Sequence, residues 1–185
     1  MVYLSTDLVF DGLRETPYRE EDPPNPSNNF AEMKLAGELR VMTHLTRHLI
    51  VRTGWLYGPS HRTIVDEVLA RADGREPVTA SDSAMRQPIY VEDFLDGLLR
   101  LLALGKTGTY HLAPAEGAYE FDVAEEVALS LGANLEVIPS RSSVAGLVPP
   151  YTVLDCLKAA EEGVVLPPWR QSLGKFLARI RGTRG

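Results

Sequence analysis

The sequence predicts an α/β fold built on a largely parallel sheet. Three observations carry this. Short, apolar, β-prone runs recur at Val2–Thr6, His48–Thr53 and Thr109–Ala113. Segments with apolar residues at helical spacing separate them. Each β-prone run leads through a loop or turn into such a helix, the order that produces parallel pairing through crossovers.

Val2–Thr6 is the first strand, and it ends on the hydroxyls of Ser5 and Thr6. Open α/β sheets place their ligands at the C-terminal ends of strands, so these hydroxyls are candidate site groups. Residues 11–27 hold Pro17, Pro23, Pro24 and Pro26 with the acids Glu20, Glu21 and Asp22, and read as a solvated loop. Asn28 is suited to cap a helix over 30–47, in which Ala31, Leu35, Leu39 and Met42 recur at helical spacing. Phe30 and Lys34 stand four apart, on one face of that helix.

The second strand, 48–53, runs into a turn at Trp55–Pro59, and Thr63–Ala72 is helical with Gly74 as its stop. Val78–Pro88 is polar and reads as irregular. Ile89–Val91 introduces an apolar helix over 94–104, and Gly105 and Gly108 turn the chain into the third strand. A helix over 121–131 closes at Gly132 and a short strand spans 135–139. A loop covers 140–150, and short helices cover about 153–161 and 169–180.

The net charge of -6 excludes nucleic acid as the main partner, since phosphate binding needs a basic face. Only the tail from Lys175 to Arg184 is locally basic, as a solvated helix end. The single cysteine, Cys156, excludes an internal disulfide and fits a reducing compartment. Its apolar neighbours mark it as a buried structural thiol. The longest apolar stretch, Leu98–Leu104, is interrupted by Arg100 and too short to span a bilayer. Without a targeting segment, the expected location is the cytoplasm and no membrane partner is expected. His44 and His48 have a spacing that can ligate zinc, but no third ligand accompanies them, so no metal site is predicted. A glycine-rich strand–turn–helix unit that could cradle a pyrophosphate is missing.

The run Ser5-Thr6-Asp7-x-Val9-Phe10-Asp11-Gly12 is followed by Pro17-Tyr18-x-Glu20-Glu21-Asp22 and then by Lys34-Leu35-Ala36-Gly37-Glu38. Further along stand Arg52-Thr53-x-Trp55-x-Tyr57-Gly58, Gln87-Pro88-x-Tyr90-x-x-Asp93, Gly108-Thr109-Tyr110-His111-Leu112-Ala113 and Leu166-Pro167-x-Trp169-Arg170-x-x-Leu173. Together these resemble the dTDP-4-dehydrorhamnose reductase family of extended short-chain dehydrogenases/reductases, over nearly the whole chain.

The resemblance implies the C-terminal half of a Rossmann-type sheet (1–60 and 88–115) with a small α/β substrate lobe (61–87 and 116–185). It also implies a catalytic triad at Thr6, Phe30 and Lys34, with Phe30 where the family has its tyrosine. In such enzymes a nicotinamide, NADP(H) or NAD(H), delivers hydride to a sugar 4-keto group. The tyrosine protonates the alkoxide, the lysine lowers the tyrosine pKa and binds cofactor ribose, and the threonine orients the carbonyl. Trp55 matches a position that packs on the sugar, and Arg86 one that meets the nucleotide diphosphate.

Two departures follow. Phe30 removes a general acid typically worth about 10²–10⁴-fold. The family segment upstream of the Ser-Thr-Asp strand, with the glycine-rich turn, is absent, so this chain alone is expected to bind no cofactor. The expected function is a reductase relative that is inactive alone. The alternatives are a non-catalytic regulatory or binding subunit, as in the β-subunit of methionine adenosyltransferase, and one half of a split reductase. A dTDP-sugar is the ligand the resemblance implies, and the sequence does not specify which. Loss of covering segments should expose Leu4, Leu39 and Met42, so a homodimer through Met1–Thr6 or helix 30–47 is expected.

Overall fold

A computed structural model describes residues 1–59, 63–74, 76–141 and 148–183. Part of the loop expected at 140–150, and the last arginine of the basic tail, lie outside the described residues.

The central sheet has three parallel strands in the order β1-β2-β6: β1 (Val2–Thr6), β2 (Leu49–Thr53) and β6 (Gly108–His111). Thr6 pairs with Thr53, and Arg52 with His111, so the strands end together. All five residues of β2 are buried, as the middle strand of a sheet covered on both faces must be.

Helix α1 (Asn29–His44) covers one face, and its tight contact with β1 depends on Gly37. A Cβ there would come within 2.0 Å of the Tyr3 hydroxyl oxygen. The cap expected at Asn28 is present: its Oδ1 accepts the Ala31 N–H at 2.9 Å. The helix ends earlier than expected because both histidines serve its terminal carbonyls. His44 Nδ1 lies 2.8 Å from Arg40 O, and His48 Nδ1 lies 2.7 Å from Leu45 O. Both rings therefore carry their proton on Nδ1 and donate to these carbonyls.

On the other face, α3 (Val91–Ala103) buries Phe94, Gly97, Leu98 and Leu101 against Leu49, Val51 and Tyr110. Gly97 is needed there, since a Cβ would meet Leu166 at 2.9 Å. Ala159, from the short helix α5 (Leu157–Glu161), joins this core with Val164 and Leu166. This stretch, assigned from sequence to the second lobe, thus packs on the central sheet.

Two further parallel pairs depart from the expected layout. Trp55–Tyr57, expected as a turn, is β3 and pairs with β5 (Pro88–Tyr90). Val78–Ser81, expected as irregular, is β4 and pairs with β7 (Val137–Ser140). Around them α2 (Ile64–Ala70), α4 (Glu120–Leu131) and α6 (Trp169–Thr183) form a second core, with Val65, Val68, Val123, Val127, Trp169 and Phe176 at its centre. Helix α4 stops at Gly132, whose φ of +63° is the left-handed cap a glycine supplies without strain. Gly12, at φ +74°, turns the loop after β1 beneath residues 149–151, leaving no room for a Cβ.

The acidic loop is anchored rather than fully solvated. Glu20 Oε1 accepts the His111 N–H at 2.8 Å, and Asp22 binds Arg14 at 2.7 Å. No helix among the described residues is long and apolar enough to cross a membrane.

Candidate active site

The site lies where the C-terminal end of β1 meets the segments that carry Arg86 and Thr152. Thr6 ends β1, and the next three residues form a 3-10 turn, Asp7–Val9. That turn carries the Asp7 side chain inward until no part of the residue is exposed. A buried carboxylate requires charged or hydrogen-bonding partners. Asp7 has three: Arg86 donates from Nε to Oδ2 at 3.0 Å and from Nη2 to Oδ1 at 2.9 Å. Thr152 Oγ1 donates to Oδ2 at 2.6 Å, and Thr6 Oγ1 donates to Oδ1 at 3.0 Å. Thr6 Oγ1 also accepts the Leu8 N–H at 3.2 Å, so its hydroxyl proton is committed to Asp7.

The backbone holds Arg86 as firmly as the carboxylate does. Arg86 and Ala118 exchange N–H···O bonds of 3.1 and 2.7 Å, and Thr152 N–H donates to Met85 O at 3.1 Å. Gly54, between β2 and β3, lets the segment at 86–88 approach. A Cβ there would lie 2.9 Å from Gln87 O and 3.7 Å from Asp7 Oδ2. Trp55 follows, half-buried, its N–H donating to Gln87 O at 3.1 Å. Buried Gln87 ties three segments together, donating to Pro114 O at 2.6 Å and Leu154 O at 3.0 Å while accepting the Leu154 N–H at 2.8 Å.

Phe30 and Lys34 project from α1 on the β1 side of this cluster. Lys34 Nζ donates to Leu4 O at 3.0 Å and lies 5.6 Å from the centre of the Tyr3 ring and 5.8 Å from that of Phe30. Phe30 is 48% exposed. Phe30 and Lys34 are thus neighbours on α1, and the Phe30 ring has no hydroxyl. The structure joins Thr6 to Arg86 through Asp7, and Phe30 to Lys34 through the helix.

Sequence reasoning missed Asp7 and Thr152. Asp7 was visible as the residue after Thr6, but nothing local indicated its burial. Another buried pair, Glu38 and Arg52, locks α1 to β2 behind the site through bonds of 3.0 Å (Nε–Oε1) and 2.7 Å (Nη2–Oε2). Cys156 is half-buried, and burial pushes its thiol up to about 12, so it stays protonated rather than nucleophilic. No group of three or more metal-ligating side chains occurs among the described residues.

The described residues do not fit a dinucleotide pyrophosphate. Helix α1 meets β1 only after a long loop, and the Asn28 side chain already takes the Ala31 amide at its N-terminus. Helix α3 follows β5 directly but carries Glu92 and Asp93 in its first turn, which repel phosphate.

Comparison with known proteins shows the family. The RmlD substrate binding domain family matches residues 1–181. A dTDP-4-keto-6-deoxy-D-glucose reductase of Streptomyces niveus is 35% identical over 159 residues, which is 83% of this chain and 55% of that protein. The dTDP-4-dehydrorhamnose reductase of Streptomyces griseus is 31% identical over 100% of this chain and 64% of its own length. A crystal structure of dTDP-4-dehydrorhamnose reductase from Bacillus anthracis, in complex with NADP, superimposes with a TM-score of 0.89 at 28% identity, covering 96% of this chain and 64% of that one. The chain thus spans less than two thirds of the length of these relatives. It belongs to the RmlD substrate binding domain family, among the relatives of dTDP-4-dehydrorhamnose reductase.

Proposed function

We propose that this chain is the substrate-side part of a dTDP-sugar 4-keto reductase, and that alone it binds a sugar nucleotide without reducing it. One observation carries the reading: the side chain beside Lys34 is Phe30, 5.8 Å away and without a hydroxyl. Reduction needs a proton at the developing alkoxide as well as a hydride. Thr6 does not replace the missing acid, because its proton is held by Asp7.

When bound, NADP(H) or NAD(H) would supply the hydride, and Lys34 is the residue proposed to meet its ribose. The sugar-nucleotide side is better furnished. Arg86 is braced through Nε and Nη2, which leaves Nη1 for an anionic ligand. Trp55 stands at the neighbouring strand start to pack on a sugar ring. The setting proposed for this chemistry is the cytoplasm, where such thiols stay reduced.

The test is calorimetry with dTDP and with NADPH, beside a turnover assay on a dTDP-4-dehydro sugar. Measurable dTDP binding lost in Arg86→Ala, with no NADPH binding and no turnover, is the expected result. Micromolar NADPH affinity, or turnover by the chain alone, overturns the reading.

A further inference from the structure

The hydrogen bonds at the end of β1 decide which way the Thr6 hydroxyl works. A carboxylate has only lone pairs to offer, so the 3.0 Å bond between Thr6 and Asp7 runs from the hydroxyl to Oδ1. A backbone N–H only donates, so the Leu8 N–H at 3.2 Å takes one of the two lone pairs on Oγ1. One lone pair is left. Thr6, 8% exposed and so not sealed off, therefore presents an acceptor and no donor.

The neighbouring side chains do not reverse this. Phe30 has no hydroxyl, and the Thr152 hydroxyl is also committed to Asp7, at 2.6 Å. Ser5 carries a hydroxyl without a partner, but its oxygen is buried. As the residue before Thr6 in an extended strand, it also faces the opposite side of the sheet. Lys34 and Arg86 only donate, and they donate to keto and hydroxyl oxygens alike, so neither chooses between the two.

We propose that Thr6 selects the reduced sugar: the ligand group that meets it is a hydroxyl, which donates into the open lone pair. A keto oxygen in the same place sets lone pair against lone pair. This rests on the reading of the chain as a dTDP-sugar binder and names the form of sugar it holds, the 4-hydroxy form in preference to the 4-keto form. Turning the Thr6 proton toward a keto oxygen would take it from Asp7 and leave Oδ1 with Arg86 Nη2 alone. That loss of a hydrogen bond to a charged group opposes the exchange.

Calorimetry on the whole chain with dTDP, dTDP-6-deoxyglucose, its 4-keto form and its 4-deoxy form tests this. The 4-hydroxy sugar should bind about ten-fold more tightly than the other two, the effect of one net hydrogen bond. Thr6→Ser keeps the hydroxyl and should keep the preference. Thr6→Val should bring the three sugars within about two-fold of one another. Circular dichroism checks that the variants fold, and the wild-type comparison alone decides should Thr6→Val not fold. A 4-keto form that binds as tightly as the 4-hydroxy form overturns the proposal and leaves the dTDP-binding reading in place. So does a folded Thr6→Val that retains the full preference. If dTDP and all three sugars fail to bind, the underlying reading falls and this proposal falls with it.

Discussion

Asp7 and Arg86 lie side by side beyond the C-terminal end of β1, joined by bonds of 3.0 and 2.9 Å between a fully buried carboxylate and a mostly buried guanidinium. Removing one member of such a pair strands the other charge in a place water reaches poorly. Arg86→Ala should lower stability by about 3 kcal/mol, the lower end of the usual range because Arg86 keeps some solvent contact. Urea unfolding measures this, and an unchanged midpoint would mean that Thr6 and Thr152 alone satisfy Asp7.

Phe30→Tyr restores a phenol beside Lys34 at an exposed position, so the fold should be unaffected within about 0.5 kcal/mol. No reductase activity should appear, because a proton donor without a hydride donor completes no reaction. Oxidation of NADPH by this single variant with a dTDP-4-dehydro sugar would refute that.

Glu38 and Arg52 are buried together, 2.7 Å apart at their closest oxygen and nitrogen. Glu38→Ala should cost about 3–5 kcal/mol, whereas Glu38→Met with Arg52→Met together should cost far less, since no charge is then left unpaired. Thermal melts of the three chains decide it. Equal losses in the single and double variants would show that packing, not charge, dominates.

His111 is fully buried with Nδ1 between the carbonyls of Tyr18 and Asp155. Burial first, and then the Arg52 charge, push it down to about 3. The unfolded chain takes up this proton near pH 6.5 and the folded chain does not. Stability is thus fully present above pH 6.5 and falls below it, by at most about 1.4 kcal/mol per pH unit. Glu20, raised chiefly by burial, works in the opposite direction at lower pH. Urea midpoints between pH 7.5 and 5 should fall for the wild type and change less for His111→Gln. Parallel curves would remove His111 as the cause.

What the sequence made legible was local. The Asn28 cap, the phase of Phe30 with Lys34, the Gly132 stop and the apolar runs of β1, β2 and β6 each show in a few consecutive residues. Strand β3 did not, because three residues carry no periodicity and its partner β5 lies more than thirty residues on. Strand β4 reads Val-Thr-Ala-Ser, polar enough for a loop, and becomes a strand only by pairing with Val137–Ser140. The Asp7 cluster was hidden for the same reason: Arg86 and Thr152 lie 79 and 145 residues away from it.

Those separations govern how the chain reaches its fold. Helix α1 can form early from its own cap, but every strand pair among the described residues is parallel and closes a long loop, and such topologies fold slowly. The Thr152–Asp7 bond closes the longest of these loops, so the surroundings of the Thr6 hydroxyl are completed only when nearly the whole chain has closed. Proteolytic fragments that end before residue 152 should keep helices and lose this cluster, and no shorter piece of the chain carries a finished site.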